Sequence, residues 1–219
     1  MTATVEAPPT PRAVWAGPTG DAYHKKHTGL SLDRQWFWAK WRHDLAPASV
    51  LEVGCGTGAN LSAFPQAVRA GVDVSGAALR EVAARGRGLP CFGSASALPF
   101  ANRTFDLVVT AGTLIHVPWE HLPGALWEVG RVAAKDVLLL EYDDSDSHVP
   151  PDQDKAGPSG VGQREIPWRG HRGVCWARPY GYLFWAARPD FALLARRQLG
   201  PADGWDRVTL AHFRRRDGR

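Results

Sequence analysis

Cysteine is scarce. The three present, Cys55, Cys91 and Cys175, lie far apart, with no Cys-x-x-Cys pair and no histidine at ligand spacing. That pattern argues against a disulfide framework and against a zinc site, and it suits a reducing compartment. Long apolar runs are also missing. Nothing approaches the ~20 residues that span a bilayer, and the opening MTATVEAPPTPR lacks the apolar stretch of a secretory signal. The expected location is the cytoplasm. No internal repeat is present, and there is no Tyr-x-x-x-Lys pair of the short-chain oxidoreductase type. The excess of positive charge is small, 26 Lys and Arg against 22 Asp and Glu. Part of it is a tail, Arg214, Arg215, Arg216 and Arg219, which reads as solvated surface rather than as a nucleic-acid site. The acidic run Asp143, Asp144 and Asp146 likewise reads as a solvated loop, not a magnesium site.

What is there alternates. Residues 1–13, rich in Pro, Ala and Thr, are expected to be disordered. A helix is expected over 31–45, where Trp38, Trp41 and Leu45 share a face and Pro47 follows. Short apolar strands at 49–53, 68–74, 105–110 and 136–142 are separated by a helix over 76–84, a Gly/Ser/Pro-rich stretch at 91–100, and helical segments opening at Pro118 and Pro123. This alternation predicts a parallel sheet covered on both faces. A loop-like excursion over 143–173 interrupts the rhythm, and such long loops are usually functional or disordered. A helix near 179–187 follows it, then two β-like segments, 191–199 and 207–214, whose short linker predicts an antiparallel pair.

The strongest chemical signal is VLEVGCGTGANL, from Val50 to Leu61. A strand ends in Glu52, and Gly54, Gly56 and Gly58 then turn the chain toward a helix. Glycines there let the backbone turn tightly and a ligand lie against it. A dinucleotide fold carries the same kind of turn, but its usual spacing is Gly-x-Gly-x-x-Gly. Glu52 suits an ammonium or sulfonium better than a pyrophosphate, which needs bare amide donors. Asp73 ends the second strand 19 residues after Gly54, placed to accept both hydroxyls of a ribose.

With LEVGCGTG, then VDVS, then GSASALPFANRTFDLVVTAGTLIHV, the chain resembles class I S-adenosylmethionine-dependent methyltransferases. The resemblance implies a Rossmann-like α/β fold, a mostly parallel sheet with an antiparallel C-terminal strand pair. It implies a cofactor set of Glu52, Gly54, Cys55, Gly56, Gly58, Asp73, Val74, Ser94, Ala95 and Thr110. Ser94 stands where that family has an acid near the adenine amino group, so that contact would be weaker or supplied by the backbone at Ala95.

A narrower resemblance, carried by Trp15-Ala-Gly, Gly20-Asp-Ala-Tyr23, Gly112 to Val117, Glu141-Tyr142, Trp168-Arg-Gly-His171 and Arg178, is to methylases associated with pseudaminic acid biosynthesis. It implies Trp15 and Tyr23 folded over the cofactor, and an acceptor held by His27, Tyr142, Arg169 and Arg178. Lys26-His27 replaces an Arg-Asn pair of that group, Gly173 replaces an Asp, and residues 149–162 form an insert. All of these departures fall on the acceptor side.

One domain is expected over 14–219, with N-terminal lid helices at 14–45, a cofactor-binding core at 49–142, a substrate-side excursion at 143–188 and C-terminal strands at 189–219. The reading is methyl transfer to an O or N of a small molecule, sugar-like or a biosynthetic intermediate. His116, His171 and Glu141 are the candidate bases. The alternatives are a macromolecular acceptor, RNA or peptide, and a non-catalytic partner that keeps the fold.

Overall fold

A computed structural model of the chain describes residues 10–143 and 163–216. Seven strands form one sheet in the order β3-β2-β1-β4-β5-β9-β8. They are β1 (Ser49–Val53), β2 (Val68–Asp73), β3 (Leu89–Phe92), β4 (Phe105–Ala111), β5 (Ala133–Glu141), β8 (Phe191–Gln198) and β9 (Thr209–Arg215). β1 to β5 pair in parallel, while β9 runs antiparallel to both β5 and β8. This is the Rossmann-like class I methyltransferase fold expected from the sequence. β3 was not expected, because LPCF is short and carries a proline at the sheet edge, where a missing ladder donor is tolerated.

Both faces are covered. Along β5, Val137 and Leu139 point to the core shared with α5 (Leu122–Val132) and α6 (Tyr180–Ala187). Leu138 and Leu140 point to the opposite core, shared with α3 (Leu32–Leu45) and α4 (Gly76–Ala84). The two-residue alternation of a strand thus feeds two cores from one apolar run. On α3 the buried rings are Phe37 and Trp38, whereas Trp36 is 77% exposed. Phe37 and Trp38 take the inward stripe, which turns Trp36 outward.

Ordered structure starts before residue 14. Thr10 caps α1 (Pro11–Ala16), which Gly17 separates from α2 (Pro18–Lys26). Residues 1–9 of the expected disordered segment lie outside the described residues. The two helices meet closely, since a Cβ on Gly20 would stand 2.1 Å from the carbonyl oxygen of Trp15.

Of the expected excursion, residues 144–162 lie outside the described residues. The remainder forms an antiparallel ribbon, β6 (Arg164–Glu165) with β7 (Trp176–Ala177), and a second tight turn at 168–171. The C-terminal arginines are partly spoken for: Arg214 pairs with Asp136 at 2.9 Å and Arg215 pairs with Asp190. Among the described residues, no helix is long and apolar enough to cross a membrane.

Candidate active site

The sheet order reverses direction between β1 and β4, and a crevice opens there beyond the carboxyl ends of the strands, as open α/β sheets require. It is a cleft of about 1170 Å³, more than the ~300–1,000 Å³ of a typical single-ligand pocket. There is room for a donor and an acceptor together.

The glycine turn forms the floor. Gly54, Gly56 and Gly58 all have positive φ, at 70°, 52° and 71°. A Cβ on Gly54 would collide with the Thr113 side chain at 2.2 Å, so the turn packs directly on the loop after β4. Asp73 braces it from the next strand, accepting the N–H of Gly56 and that of Ser75, each at 2.8 Å. Each oxygen keeps a lone pair, enough for two further hydroxyl donors.

Glu52 is 2% exposed. One oxygen accepts from Asn60 at 2.6 Å, and Asn60 in turn accepts the indole N–H of Trp38 at 3.0 Å. The other oxygen is buried without a partner among the described residues. Burial pushes this carboxyl up to about 8, against the Asn60 hydrogen bond that favours its ionised form. An orphaned buried carboxylate oxygen facing a cleft fits a cationic ligand group.

Over the floor lies an aromatic lid. Trp15 sits with its ring centroid 5.2 Å from Tyr23, 4.6 Å from His116 and 4.7 Å from Trp168, joining α1, α2, the loop after β4 and the ribbon. His27 stacks on Tyr23 at 4.0 Å, and its carbonyl accepts the Thr57 hydroxyl at 3.0 Å, which ties α2 to the glycine turn. His116 donates from Nδ1 to the carbonyl of Val174 at 2.6 Å. That bond leaves Nε2 as the acceptor nitrogen. Burial holds the ring's basicity down at about 4, so it is neutral at physiological pH.

Residues 50–136 match the family described as methyltransferase domain. The segment is a methyltransferase domain. Its methyl donor is S-adenosylmethionine, and the orphaned Glu52 oxygen and the spare lone pairs of Asp73 suit that molecule's ammonium and ribose. A search of curated proteins finds no match.

Among solved structures, the chain is similar to a Burkholderia thailandensis 1,6-didemethyltoxoflavin-N1-methyltransferase with bound 1,6-didemethyltoxoflavin and S-adenosylhomocysteine. That likeness has 17% identity and a TM-score of 0.69, over 99% of this chain and 94% of that one. It is similar to the magnesium protoporphyrin IX methyltransferase of Synechocystis PCC 6803 with bound S-adenosylhomocysteine (13%, TM-score 0.66, 94% and 98%). The glycopeptide N-methyltransferase MtfA in complex with S-adenosylhomocysteine also resembles it (15%, TM-score 0.62, 96% and 100%). At these identities the likeness establishes the fold.

Most of the sequence-derived site residues line the domain's cleft: the glycine turn with Cys55, then Asp73, Val74, Ser94 and Ala95, with Trp15, Tyr23, His27, His116, Tyr142 and Arg178 around it. The Cys55 sulfur packs toward Gly71, and burial pushes its thiol well up, so it is not a nucleophile. The Ser94 hydroxyl turns back to Ser96 at 3.1 Å.

Five of the expected residues do not line the cleft. Gly58 serves the turn and packs near Val82 and Arg87. Thr110 is fully buried within β4, and Ala111, Gly112 and Thr113 make the wall instead, because the strand runs one residue further than expected. Glu141 is 1% exposed and accepts the N–H groups of Thr113, Leu114 and Ile115 at 3.2, 3.1 and 3.4 Å. It shapes the loop that carries His116 and is not a base aimed at substrate.

Arg169 and His171 belong to a two-residue turn closed by reciprocal bonds between Trp168 and His171, 3.1 and 2.8 Å. Arg169 and Gly170 hold φ of 48° and 81°, the left-handed pair such a turn needs. The Arg169 guanidinium lies over Tyr23 and Trp168 at 5.2 and 5.4 Å, fastening the ribbon to α2. The acceptor contact implied for it is replaced by lid packing.

Sequence reasoning missed Arg34, His24 and Asn60. Arg34 reaches the cleft from α3, donates to the Gly204 carbonyl at 2.8 Å and lies over Trp205 at 4.0 Å. It sits where Glu52 exerts a favourable field. The buried Nε2 of His24 has no partner among the described residues, and its ring stands 3.3 Å from where a Cβ on Gly56 would be. Asn60 lies within the glycine-turn motif, where its type carried no signal of its own; Arg34 and His24 fall in no motif, and only the fold brings them to the glycine turn. Among the described residues, no group of three His, Cys, Asp or Glu side chains is placed to hold a metal ion. Asp144 and Asp146 of the acidic run lie outside the described residues.

Proposed function

We infer that the chain methylates an oxygen or nitrogen of a small molecule enclosed between the glycine turn and the aromatic lid. The observation that carries this reading is one cleft shared by Glu52, Asp73, His116 and the rings of Trp15 and Trp168. When bound, S-adenosylmethionine supplies a methyl group on a positively charged sulfur, already activated toward a nucleophile. The protein's share of the work is then alignment, exclusion of water and handling of one proton.

Glu52 would receive the donor's ammonium, Arg34 its carboxylate, Asp73 its ribose and the Ser94–Ala95 turn its adenine. Trp15 and Tyr23 exclude water from the reacting end. His116 lines the cleft with its tautomer fixed by the Val174 carbonyl. Its low basicity suits accepting a hydrogen bond from the acceptor's O–H or N–H and orienting the lone pair opposite. It takes the proton outright only as methyl transfer makes the acceptor's O–H or N–H strongly acidic.

The neighbours named above act on a planar heterocycle, a porphyrin and a glycopeptide, which favours a bulky acceptor over a simple sugar. The narrower resemblance to the pseudaminic acid group rests on lid residues such as the Trp168–His171 turn, so it speaks to how the lid closes more than to the acceptor.

The test is incubation with S-adenosylmethionine bearing a deuterated methyl group and an extract of the source cell. Mass spectrometry would then search metabolites, RNA and protein for label. Label in a small metabolite supports the reading and names the acceptor; label in RNA or protein overturns it.

A further inference from the structure

Four buried polar atoms without a hydrogen-bond partner among the described residues belong to side chains that line the cleft: those of Trp15, His24, Glu52 and Trp205. Leaving such an atom unpaired costs ~1–3 kcal/mol, so their convergence on one cavity marks atoms kept for ligands. Glu52 has its role above. His24 has none, and α2 gives it a defined place.

The residue is 7% exposed. Its Cε1 and Nδ1 both stand 3.3 Å from where a Cβ on Gly56 would be, so the ring rests directly on the middle of the glycine turn. Trp15 and Tyr23 flank it, with ring centroids 5.8 and 5.7 Å away. The end of α2 is tied to the same turn through the Thr57 hydroxyl and the His27 carbonyl. Nε2 is therefore held in place, dry and unpaired.

Gly56 also donates its N–H to Asp73. His24 and Asp73 thus meet at one residue, the first arriving from the lid and the second from the sheet. Burial holds the imidazole's basicity down, and the field of Asp73 is the strongest charge working against that, ahead of Asp21 on its own helix.

We propose that His24 is a donor-binding residue of the lid, its Nε2–H donating to a ribose hydroxyl whose own hydrogen goes to Asp73. A hydroxyl both donates and accepts, so one group can satisfy the carboxylate and the imidazole together. The amino-acid end of the donor offers no such match, because its charged groups belong with Glu52 and with Arg34, which feels the Glu52 field. The assignment rests on the ribose placement at Asp73 proposed above, and its test separates the two.

Calorimetry compares S-adenosylhomocysteine with its 2′-deoxy and 3′-deoxy analogues, in the unaltered protein and in His24→Phe, which keeps a ring on Gly56 but no nitrogen. His24→Phe should weaken S-adenosylhomocysteine binding by about three- to tenfold, the worth of one buried hydrogen bond. Both deletions should weaken binding to the unaltered protein. For one of the two, the penalty should shrink by about threefold or more in His24→Phe, the signature of a shared contact. His24→Leu serves if the phenylalanine variant does not fold. Unchanged affinity for S-adenosylhomocysteine, or identical penalties in variant and unaltered protein for both analogues, overturns the His24 contact. Failure of either deletion to weaken binding to the unaltered protein overturns the ribose placement at Asp73 instead.

Discussion

The Asp73 carboxylate accepts the backbone N–H of Gly56 at 2.8 Å, joining the end of β2 to the middle of the glycine turn. Its other oxygen holds the N–H of Ser75, the cap of α4. One acidic side chain thereby fixes the turn, starts the helix and presents lone pairs to the cleft.

Asp73→Ala should weaken S-adenosylmethionine binding at least tenfold by calorimetry, and should cost ~1–3 kcal/mol of stability for the abandoned backbone donors. Asp73→Asn should recover part of the stability and little of the affinity. Unchanged affinity in the alanine variant would mean that the ribose lies elsewhere.

Because burial pushes the Glu52 carboxyl up to about 8, the empty protein holds a proton there at neutral pH. A cationic ligand group favours the ionised form, so binding near pH 7 should release a proton. Affinity should climb from pH 6 toward 8. Calorimetry in buffers of different ionisation enthalpy measures the release, and Glu52→Gln should abolish both it and the climb. A pH-independent affinity in the unaltered protein would remove Glu52 from the cofactor site.

His116→Ala is expected to lower turnover by roughly 10²–10³-fold with cofactor affinity within twofold. His171→Ala, which stays outside the cleft on the hairpin turn, should change turnover by less than threefold. With His116 held at about 4, its loss of acceptor capacity belongs to a limb near pH 4, so the rate should show no inflection from this group between pH 6 and 8. A large defect in the His171 variant with none in His116 would reverse the assignment.

Glu141 is a positioning residue. Removing its acceptor oxygens in Glu141→Ala should destabilise the fold by about 3 kcal/mol in urea unfolding, whereas Glu141→Gln should stay within about 1 kcal/mol and keep most turnover. Burial raises this carboxyl to about 7, above its value of roughly 4.3 in the unfolded chain. The protonated form is therefore favoured by folding, and its stabilising effect is full below about pH 4.3 and fades as pH rises through 7. The glutamine variant should lack that fade. Loss of turnover in Glu141→Gln at full stability would make it a base after all.

The donor half of the site was legible in the sequence for a local reason. The glycine turn, Glu52 and Asp73 lie on or just beyond two adjacent parallel strands, where backbone geometry fixes what each residue faces. The strands expected at 49–53 and 68–74 sufficed to place them. Arg34 carried no such signal, since its side chain reaches the cleft only because α3 packs against residues 60–63 and 201–203 and the Gly204 carbonyl receives its Nε. The same holds for Glu141. From sequence, a carboxylate at a strand end reads as facing ligand, and only the fold shows three backbone N–H groups arriving at it.

By itself, the sequence determined the alternation of strand and helix, the mostly parallel sheet they build, and the glycine-and-acid cradle proposed for the donor. These depend on residue type at short spacing, where sterics and strand periodicity leave few options. The tertiary structure decided the acceptor side. His116 and His171 look equivalent along the chain, but one has its tautomer fixed by Val174 in the cleft and the other is spent on a turn. Arg169 and Arg178 look equivalent too, yet the first lies over the partly buried lid rings of Tyr23 and Trp168 while the second is buried and bonded to Gln163 and the Val117 carbonyl. Burial and partners from distant parts of the chain set these roles, and neither is written in local sequence.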